Sequence, residues 1–165
     1  MIVFETKLAE LFDTLPLMNV NSNDYKVFFN WGTEEVLNKY LALQDMQSRY
    51  PLIWLTNSED TYKTGTNFVR RDNVRLLLAM HSDKVDYFNP EVFNTDYEVV
   101  LNPLLDNVLK ALKNSSISRM DLDYKVQRLP NYSVNNNNAT LDVWNALVLD
   151  CSIELTDNCL KPIKY

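Results

Sequence analysis

The stretch from Trp144 to Leu155 constrains the fold most, because apolar side chains recur in it at every second position. A period of two is typical of a β-strand with one face against a core. We expect one face of this strand to consist of Leu147, Leu149, Cys151, Ile153 and Leu155. The opposite face then carries Ala146, Val148, Asp150, Ser152 and Glu154. A strand of this length predicts a fold built around a sheet.

Four further stretches have the composition of strands. Val74 to His81 alternates in the same way, and the apolar run Pro51 to Leu55 is typical of a strand buried on both faces. Lys26 to Trp31 is rich in aromatic residues, and Gly32 follows it. Asp121 to Leu129 alternates, with Leu122, Tyr124 and Val126 on one face.

Helical spacing marks three other segments. Apolar residues at helical intervals predict a first helix over roughly Ile2 to Thr14, closed by Pro16. Thr33 is a suitable N-cap for a second helix that continues to about Arg49. The third helical segment has the clearest stripe of apolar residues, and Asn102-Pro103 interrupts that stripe. The helix therefore either restarts there with Asn102 as its cap or kinks. We favour the restart. The third stripe consists of Tyr97, Val100, Leu101, Leu104, Leu105, Val108, Leu109 and Leu112.

These elements predict one α+β domain over residues 1–165. Their order is α-β-α-β-β-α-β-β, with a mixed, mostly antiparallel sheet and the helices packed on one face. The chain is 46% hydrophobic, which is enough for a packed core. Its two glycines, Gly32 and Gly65, have no glycine neighbours, so phosphate-binding glycine loops are excluded.

Composition also excludes several kinds of site. The single histidine, His81, rules out sites built on two histidines, and two cysteines cannot form a zinc cage. A net charge of −6 argues against a surface that grips nucleic acid. The longest apolar run, Leu76 to Met80, is too short for a transmembrane segment, and the N-terminus is unlike a secretory signal. We expect no catalytic residue, metal or cofactor, no membrane, and reduced cysteines in a cytoplasm.

Two arrangements could nevertheless carry chemistry. His81 lies next to Ser82, but neighbours on a strand point to opposite faces, which argues against a nucleophile and base pair. Asp123-Tyr124-Lys125 has the acid-x-lysine spacing of metal-dependent nucleases, with Asp121 beside it. Further acids would have to come from Glu98 or Asp106. Alternating charge on a solvent-facing strand explains the same pattern without a metal.

Polar loops next to rigid strands are the candidate contact sites. The segment Thr56 to Asn67 is either a solvated hairpin connection or a partner contact, and the asparagine run near residue 135 forms a second loop. Arg70 and Arg71 stand out in an acidic chain and could donate to an acidic patch of a neighbour. The predicted interface residues are Thr61, Tyr62, Lys63, Arg70, Arg71, Tyr132, Asn135 and Asn136.

Four motifs together resemble a known family. They are the strand Tyr50 to Leu55, the strand through Asn73-Val74-Arg75, the helix opened by Leu101-Asn102-Pro103-Leu104, and the closing strand with Trp144-Asn145-Ala146-Leu147. Between about Leu37 and Leu155, this pattern resembles the tail-terminator and head-to-tail joining proteins of tailed bacteriophages.

The resemblance implies a structural virion protein without enzyme activity. Such a protein forms a homomeric ring in the neck, contacts portal or adaptor and tail proteins, and lets DNA pass without specific binding. It implies location in the virion tail or neck, and in the host cytoplasm during assembly. Two alternatives stay open at this point: a small cytoplasmic protein-binding adaptor domain and a metal-dependent nuclease.

Overall fold

Two long antiparallel strands, β6 (Phe68–Ser82) and β9 (Val143–Thr156), form the centre of the sheet. The computed structural model describes residues 2–20, 22–43, 49–56, 62–64, 67–82, 95–130, 132 and 143–165. The other strands are β1 (Met18–Val20), β2 (Asn23–Tyr25), β3 (Phe28–Gly32), β4 (Leu52–Thr56), β5 (Tyr62–Thr64), β7 (Ser118–Met120) and β8 (Lys125–Leu129). The helices are α1 (Phe4–Phe12), α2 (Glu34–Ala42) and α3 (Asn102–Asn114), with a π-helical turn, Thr95–Leu101, directly before α3.

The predicted α+β fold with a mixed, mostly antiparallel sheet is confirmed. The strand order is β3-β4-β6-β9-β7, where β5 also pairs with β6 and β8 also pairs with β9. Among the strands that the structure describes, only β3 and β4 pair in parallel, and α2 connects them as a crossover helix. The small strands β1 and β2 form a separate hairpin. The predicted element order lacks β1, β2, β5 and β7.

The sheet separates two groups of core side chains. On one face, α1, the π-helical turn and α3 cover the sheet, and both Leu147 and Leu149 of β9 point toward them. On the other face, Leu37 and Leu41 of α2 pack against Trp54 of β4. The prediction that all helices lie on one face is therefore wrong for α2. The alternation predicted for β9 is confirmed, since Ala146 and Val148 belong to the α2 face.

The connection between β3 and α2 shows why the sequence has a glycine here. Gly32 has φ of 155°, and a Cβ at this position would lie 3.0 Å from a ring carbon of Trp54. Its carbonyl accepts a hydrogen bond of 3.2 Å from the Trp54 indole. Thr33 then caps α2 as predicted, by accepting from the Val36 amide. The helix ends at Ala42, earlier than expected, because Leu43 is extended.

The third helix does not restart at Asn102. Leu101 has helical torsion angles, Asn102 makes no side-chain cap, and the π-helical turn continues into α3 without a break. A proline inside a helix has no amide to donate and crowds the carbonyl of the preceding turn. We attribute the wider π turn before Pro103 to this requirement. No described helix is long and apolar enough to span a membrane.

The predicted strand Asp121 to Leu129 is also different. Residues 121–124 leave the sheet, and only Lys125–Leu129 pairs with β9 as β8. The supposed inner face of this segment is solvent-exposed, since Leu122 is 86% exposed and Val126 is 42% exposed. A separate short strand, β7, pairs with the far end of β9.

Candidate assembly interface

A cavity of about 760 Å³ lies where two neighbours of β9 depart from regular pairing. On one side, the register of β6 shifts between Arg71 and Val74, as in a β-bulge. On the other side, residues 121–124 loop out between β7 and β8. A bulge re-aims side chains, and Ser152 is one of the residues that line the concave surface between this bulge and the loop. Its hydroxyl donates to the carbonyl of Asp72 at 2.7 Å.

Ion pairs lie in the lining of this cavity and next to it. The Arg75 guanidinium donates to both carboxylate oxygens of Asp150, at 2.8 and 3.1 Å, from the opposite position on β9. Arg70 donates to Asp72 at 2.6 Å and to Asp121 at 2.5 and 3.2 Å. These hydrogen bonds, above all those to Asp121, raise the pKa of the Arg70 guanidinium. Arg70 therefore ties the bulge of β6 to the 121–124 loop.

The arginine pair predicted to contact a neighbour has partners within its own chain. Besides the contacts of Arg70, the Arg71 guanidinium donates to Glu5 of α1 at 2.5 Å and lies over the Phe4 ring, 4.4 Å from its centroid. The side chains of Arg70 and Arg71 are 28% and 14% exposed. Both guanidinium groups are therefore engaged within the chain.

The remaining predicted interface residues fall into three groups. Tyr62 and Lys63 lie in β5, opposite Arg71 and Arg70, so this part of the predicted loop is a strand. Tyr132 is buried in the core on the α2 face, and its hydroxyl donates to Glu34 at 3.4 Å. Thr61, Asn135 and Asn136 lie outside the described residues.

The acid-x-lysine segment lines the cavity without forming a recognisable metal site. Asp121 is held by Arg70, while Asp123 and Lys125 lie at the cavity wall. Glu98 and Asp106 are exposed on the helical segment that packs on the opposite face. Among the described ranges, no group of three histidine, cysteine or acidic side chains could hold a metal ion.

The other candidate groups are mostly structural. His81 lies between the rings of Tyr50 and Trp144, with centroid distances of 6.0 and 5.4 Å. Burial raises the pKa of the Cys151 thiol to about 12, so this group is protonated at neutral pH. Phe29 packs edge-on against Phe12 at 5.2 Å. Phe29 of β3 therefore packs against the core.

The two outer edges of the sheet offer a different kind of surface. Within the part of the chain that the structure describes, β3 pairs only with β4, and β8 pairs only with β9. Next to the β3 edge, Trp31 is 43% exposed and Val36 is 48% exposed. At the β8 edge, Val126 is 42% exposed and Tyr124 is 37% exposed. Unpaired edges with exposed apolar side chains are sites of strand pairing with another chain.

Most of the interface residues predicted from the sequence belong to predicted loops, and the sequence did not single out these edges. The available signal was the apolar alternation of residues 122, 124 and 126, but the same pattern describes a strand face turned toward a core. Only the pairing partners of β8 distinguish the two cases. In comparisons with known proteins, no protein-family model and no curated protein matches this chain.

Proposed function

We propose that this chain is a structural virion protein that forms a homomeric ring in the neck of a tailed bacteriophage, between portal or adaptor and tail. The observation that carries the proposal is a pair of sheet edges, β3 and β8, on opposite sides of one sheet and without an outer strand among the described residues. A ring requires two different surfaces per copy, one for each neighbour. One sheet with two unlike apolar edges meets that requirement.

The charge of the chain supports the same role. The net charge is −6, and the arginines of the central strand are engaged by carboxylates: Arg70 by Asp121, Arg71 by Glu5, and Arg75 by Asp150. Arginines that are already paired with carboxylates do not contact the phosphates of a nucleic acid, so they displace none of its counterions. A ring of such subunits would let DNA slide through its channel without binding it. The proposed locations are the assembled neck and, before assembly, the host cytoplasm.

The test is the location and stoichiometry of the chain in particles of the virus that encodes it. Purified virions are analysed by mass spectrometry and by electron cryomicroscopy, with antibody labelling of this chain. We expect several copies per particle, arranged as one ring at the head-to-tail junction. Detection only in infected-cell lysate, or one isolated copy per particle, contradicts the proposal.

A protein-binding adaptor is the second candidate, and the cavity between the β6 bulge and the 121–124 loop favours it. The cavity has a volume within the range of ligand pockets, and it combines Asp123 and Lys125 with the exposed Leu122. A monomeric chain that captures a defined peptide in this cavity, without any particle association, would favour the adaptor. Purified protein and a peptide library distinguish the two candidates.

A further inference from the structure

We propose that β8 of one copy pairs antiparallel with β3 of the next copy, so that one sheet continues from subunit to subunit. This inference rests on the proposed ring and identifies the surface that builds it. Both strands have five residues, Phe28–Gly32 and Lys125–Leu129, so their full lengths can pair.

Backbone groups at the β3 edge are available at two positions. The Phe28 amide donates to the Pro51 carbonyl next to β4, at 2.9 Å. Because backbone polar groups alternate along a strand, Phe29 and Trp31 turn theirs away from β4. Within the single copy, the side chain of Asn30 accepts from the Trp31 amide at 2.9 Å. A carbonyl of a neighbouring strand can replace this local partner.

The β8 edge has the complementary arrangement. The Asp121 amide donates to the Ser152 carbonyl, and the Thr156 amide donates to the Ile117 carbonyl. Even-numbered residues of β9 therefore direct their backbone groups toward β7 and β8. In the register of β8 with β9, these even-numbered residues lie opposite residues 125, 127 and 129. Val126 and Arg128 consequently turn their amides and carbonyls outward.

Side-chain faces agree with the same pairing. Phe29 packs on α1 and Trp31 lies beside it, at 5.9 Å between centroids, which places both on the α1 and α3 face. Arg128 lies over the ring of Tyr97, 5.5 Å from its centroid, on that face as well. Lys125 and Gln127 line cavities on the α2 face. Full overlap then pairs Phe28 with Leu129, Phe29 with Arg128, Asn30 with Gln127, Trp31 with Val126, and Gly32 with Lys125.

Every pair in this register is chemically compatible. Trp31 and Val126 are exposed apolar side chains that cover each other, and an aromatic ring opposite a β-branched residue is a favourable cross-strand pair. Phe29 offers its ring to the guanidinium of Arg128. In this register, Phe29 and Trp31 of one copy lie opposite Arg128 and Val126 of the next, so the outward amides and carbonyls of the two strands can hydrogen-bond to each other. A shift by one residue would place side chains on the wrong faces.

Charge complementarity adds to the apolar contact. Lys125 has no ion-pair partner among the described residues, and it would lie opposite Gly32 on the α2 face. Gly32 is followed closely by two exposed acids in the first turn of α2: Glu34, which accepts from Tyr132, and Glu35, which pairs with Lys39. The basic residue of one edge is thus directed toward the acidic turn beside the other edge.

The strand directions fit a ring. Strand β3 is parallel to β4, β4 is antiparallel to β6, and β6 is antiparallel to β9, so β9 runs in the same direction as β3. Because β8 is antiparallel to β9, it runs opposite to β3. Copies related by rotation about an axis along the strands keep these directions, so their junction is antiparallel. The contact is heterologous, because each copy uses β3 toward one neighbour and β8 toward the other.

The pairing is tested by disulfide trapping. In a Cys159→Ser background, which removes the exposed native thiol, Trp31→Cys is combined with Val126→Cys in the same chain. Opposed residues of an antiparallel pair have Cα atoms about 5.5 Å apart, which suits a disulfide. Mild oxidation of the concentrated protein should give a ladder of dimers, trimers and larger species. The matched control pairs Trp31→Cys with Lys125→Cys, the adjacent residue on the opposite face.

We expect a cross-linked yield about tenfold above that of the control, because only residue 126 faces Trp31. A yield equal to the control at every concentration overturns the pairing. If virions nevertheless contain a ring of this chain, the proposed function stands and the interface lies elsewhere. If virions contain no such ring while the ladder forms, the edge pairing stands and the proposed function fails.

A second variant tests the same contact without cysteines. Val126→Glu places a charge opposite Trp31 and should reduce self-association, measured by native mass spectrometry over a concentration series. Val99→Glu is the control, because Val99 is 43% exposed, close to the 42% of Val126, and lies on the π-helical turn. Equal association of both variants and wild type overturns the proposal.

Discussion

The Arg70 guanidinium and the Asp121 carboxylate form a two-point ion pair, with distances of 2.5 and 3.2 Å, across 51 positions of sequence. Arg70 belongs to the central strand β6, whereas Asp121 begins the segment that leaves the sheet between β7 and β8. This contact links the strand next to the β6 bulge to the 121–124 loop. It also explains why an arginine in an acidic chain is not free to bind nucleic acid.

The first prediction concerns the strength of this pair. A double-mutant cycle with Arg70→Met and Asp121→Asn should give a coupling free energy of about 0.5–1 kcal/mol, because Asp121 is 46% exposed and water screens the attraction. Urea unfolding of the four proteins measures it. The control pair, Lys39 and Glu35, is 73% and 78% exposed, so its coupling should be smaller than that of Arg70 and Asp121. Equal coupling in both cycles would show that the geometry of Arg70 adds nothing.

The second prediction separates two adjacent leucines of α3. Helical spacing alone assigns both Leu104 and Leu105 to the buried stripe, but only Leu104 is fully buried. Leu104→Ala should cost about 2–5 kcal/mol of unfolding free energy, since it leaves a cavity against the sheet. Leu105→Ala should cost less than about 1.5 kcal/mol, because its side chain is already partly solvated. Chemical denaturation of both variants tests the order, and a reversed order would contradict it.

The third prediction is a loss of stability in alkali. Burial raises the pKa of Tyr97 to about 12, and its hydroxyl donates to the Ala146 carbonyl at 3.0 Å. The unfolded chain releases this proton near pH 10, so the folded state binds more protons between about pH 10 and 12. The unfolding free energy from this group is therefore fully present below pH 10 and should fall by about 2–3 kcal/mol toward pH 12.

Cys151 contributes in the same direction, because burial also raises its pKa to about 12. Unfolding free energies of wild type, Tyr97→Phe and the double variant Tyr97→Phe with Cys151→Ala should be measured from pH 9 to 12. The slope should become shallower with each substitution. An unchanged slope in the double variant would assign the alkaline loss to other groups.

The fourth prediction concerns the acid-x-lysine segment. Asp123 and Lys125 are exposed at the cavity wall, so the double variant Asp123→Ala with Lys125→Ala should change the unfolding free energy by less than about 0.5 kcal/mol. The wild-type protein should not cleave DNA when Mg²⁺ is added. Thermal unfolding and a plasmid-nicking assay provide the measurements. Magnesium-stimulated cleavage that the double variant loses would instead support the nuclease alternative.

Elements whose own sequence carries their pattern were predicted correctly. The strand β9 alternates because its residues face a core on both sides, and Leu147 and Ala146 lie on the faces expected. Thr33 caps α2 because a hydroxyl next to three free amides satisfies a local requirement. Such features depend on residues a few positions apart, so the sequence alone contains the necessary information.

Features that depend on distant partners were not predictable in this way. The stripe of α2 has the same helical period as that of α3, and nothing in either stripe says which face of the sheet it covers. Asn102-Pro103 reads as a helix start, but the buried Tyr97 and Leu101 hold the preceding turn in a continuous helix. Tertiary packing outweighs the local preference of a single proline.

The sequence by itself therefore determined the α+β class, the long strands and the helix stripes, because periodicity is a local property of the chain. The tertiary structure alone decided that Arg70 meets Asp121 and that α2 lies opposite α1 and α3. It also decided that Val126 lies in a strand whose outer side has no partner strand in the described ranges. Pairing between strands depends on contacts many residues apart. The physical reason is that a period of two specifies the faces of a strand but not its neighbours.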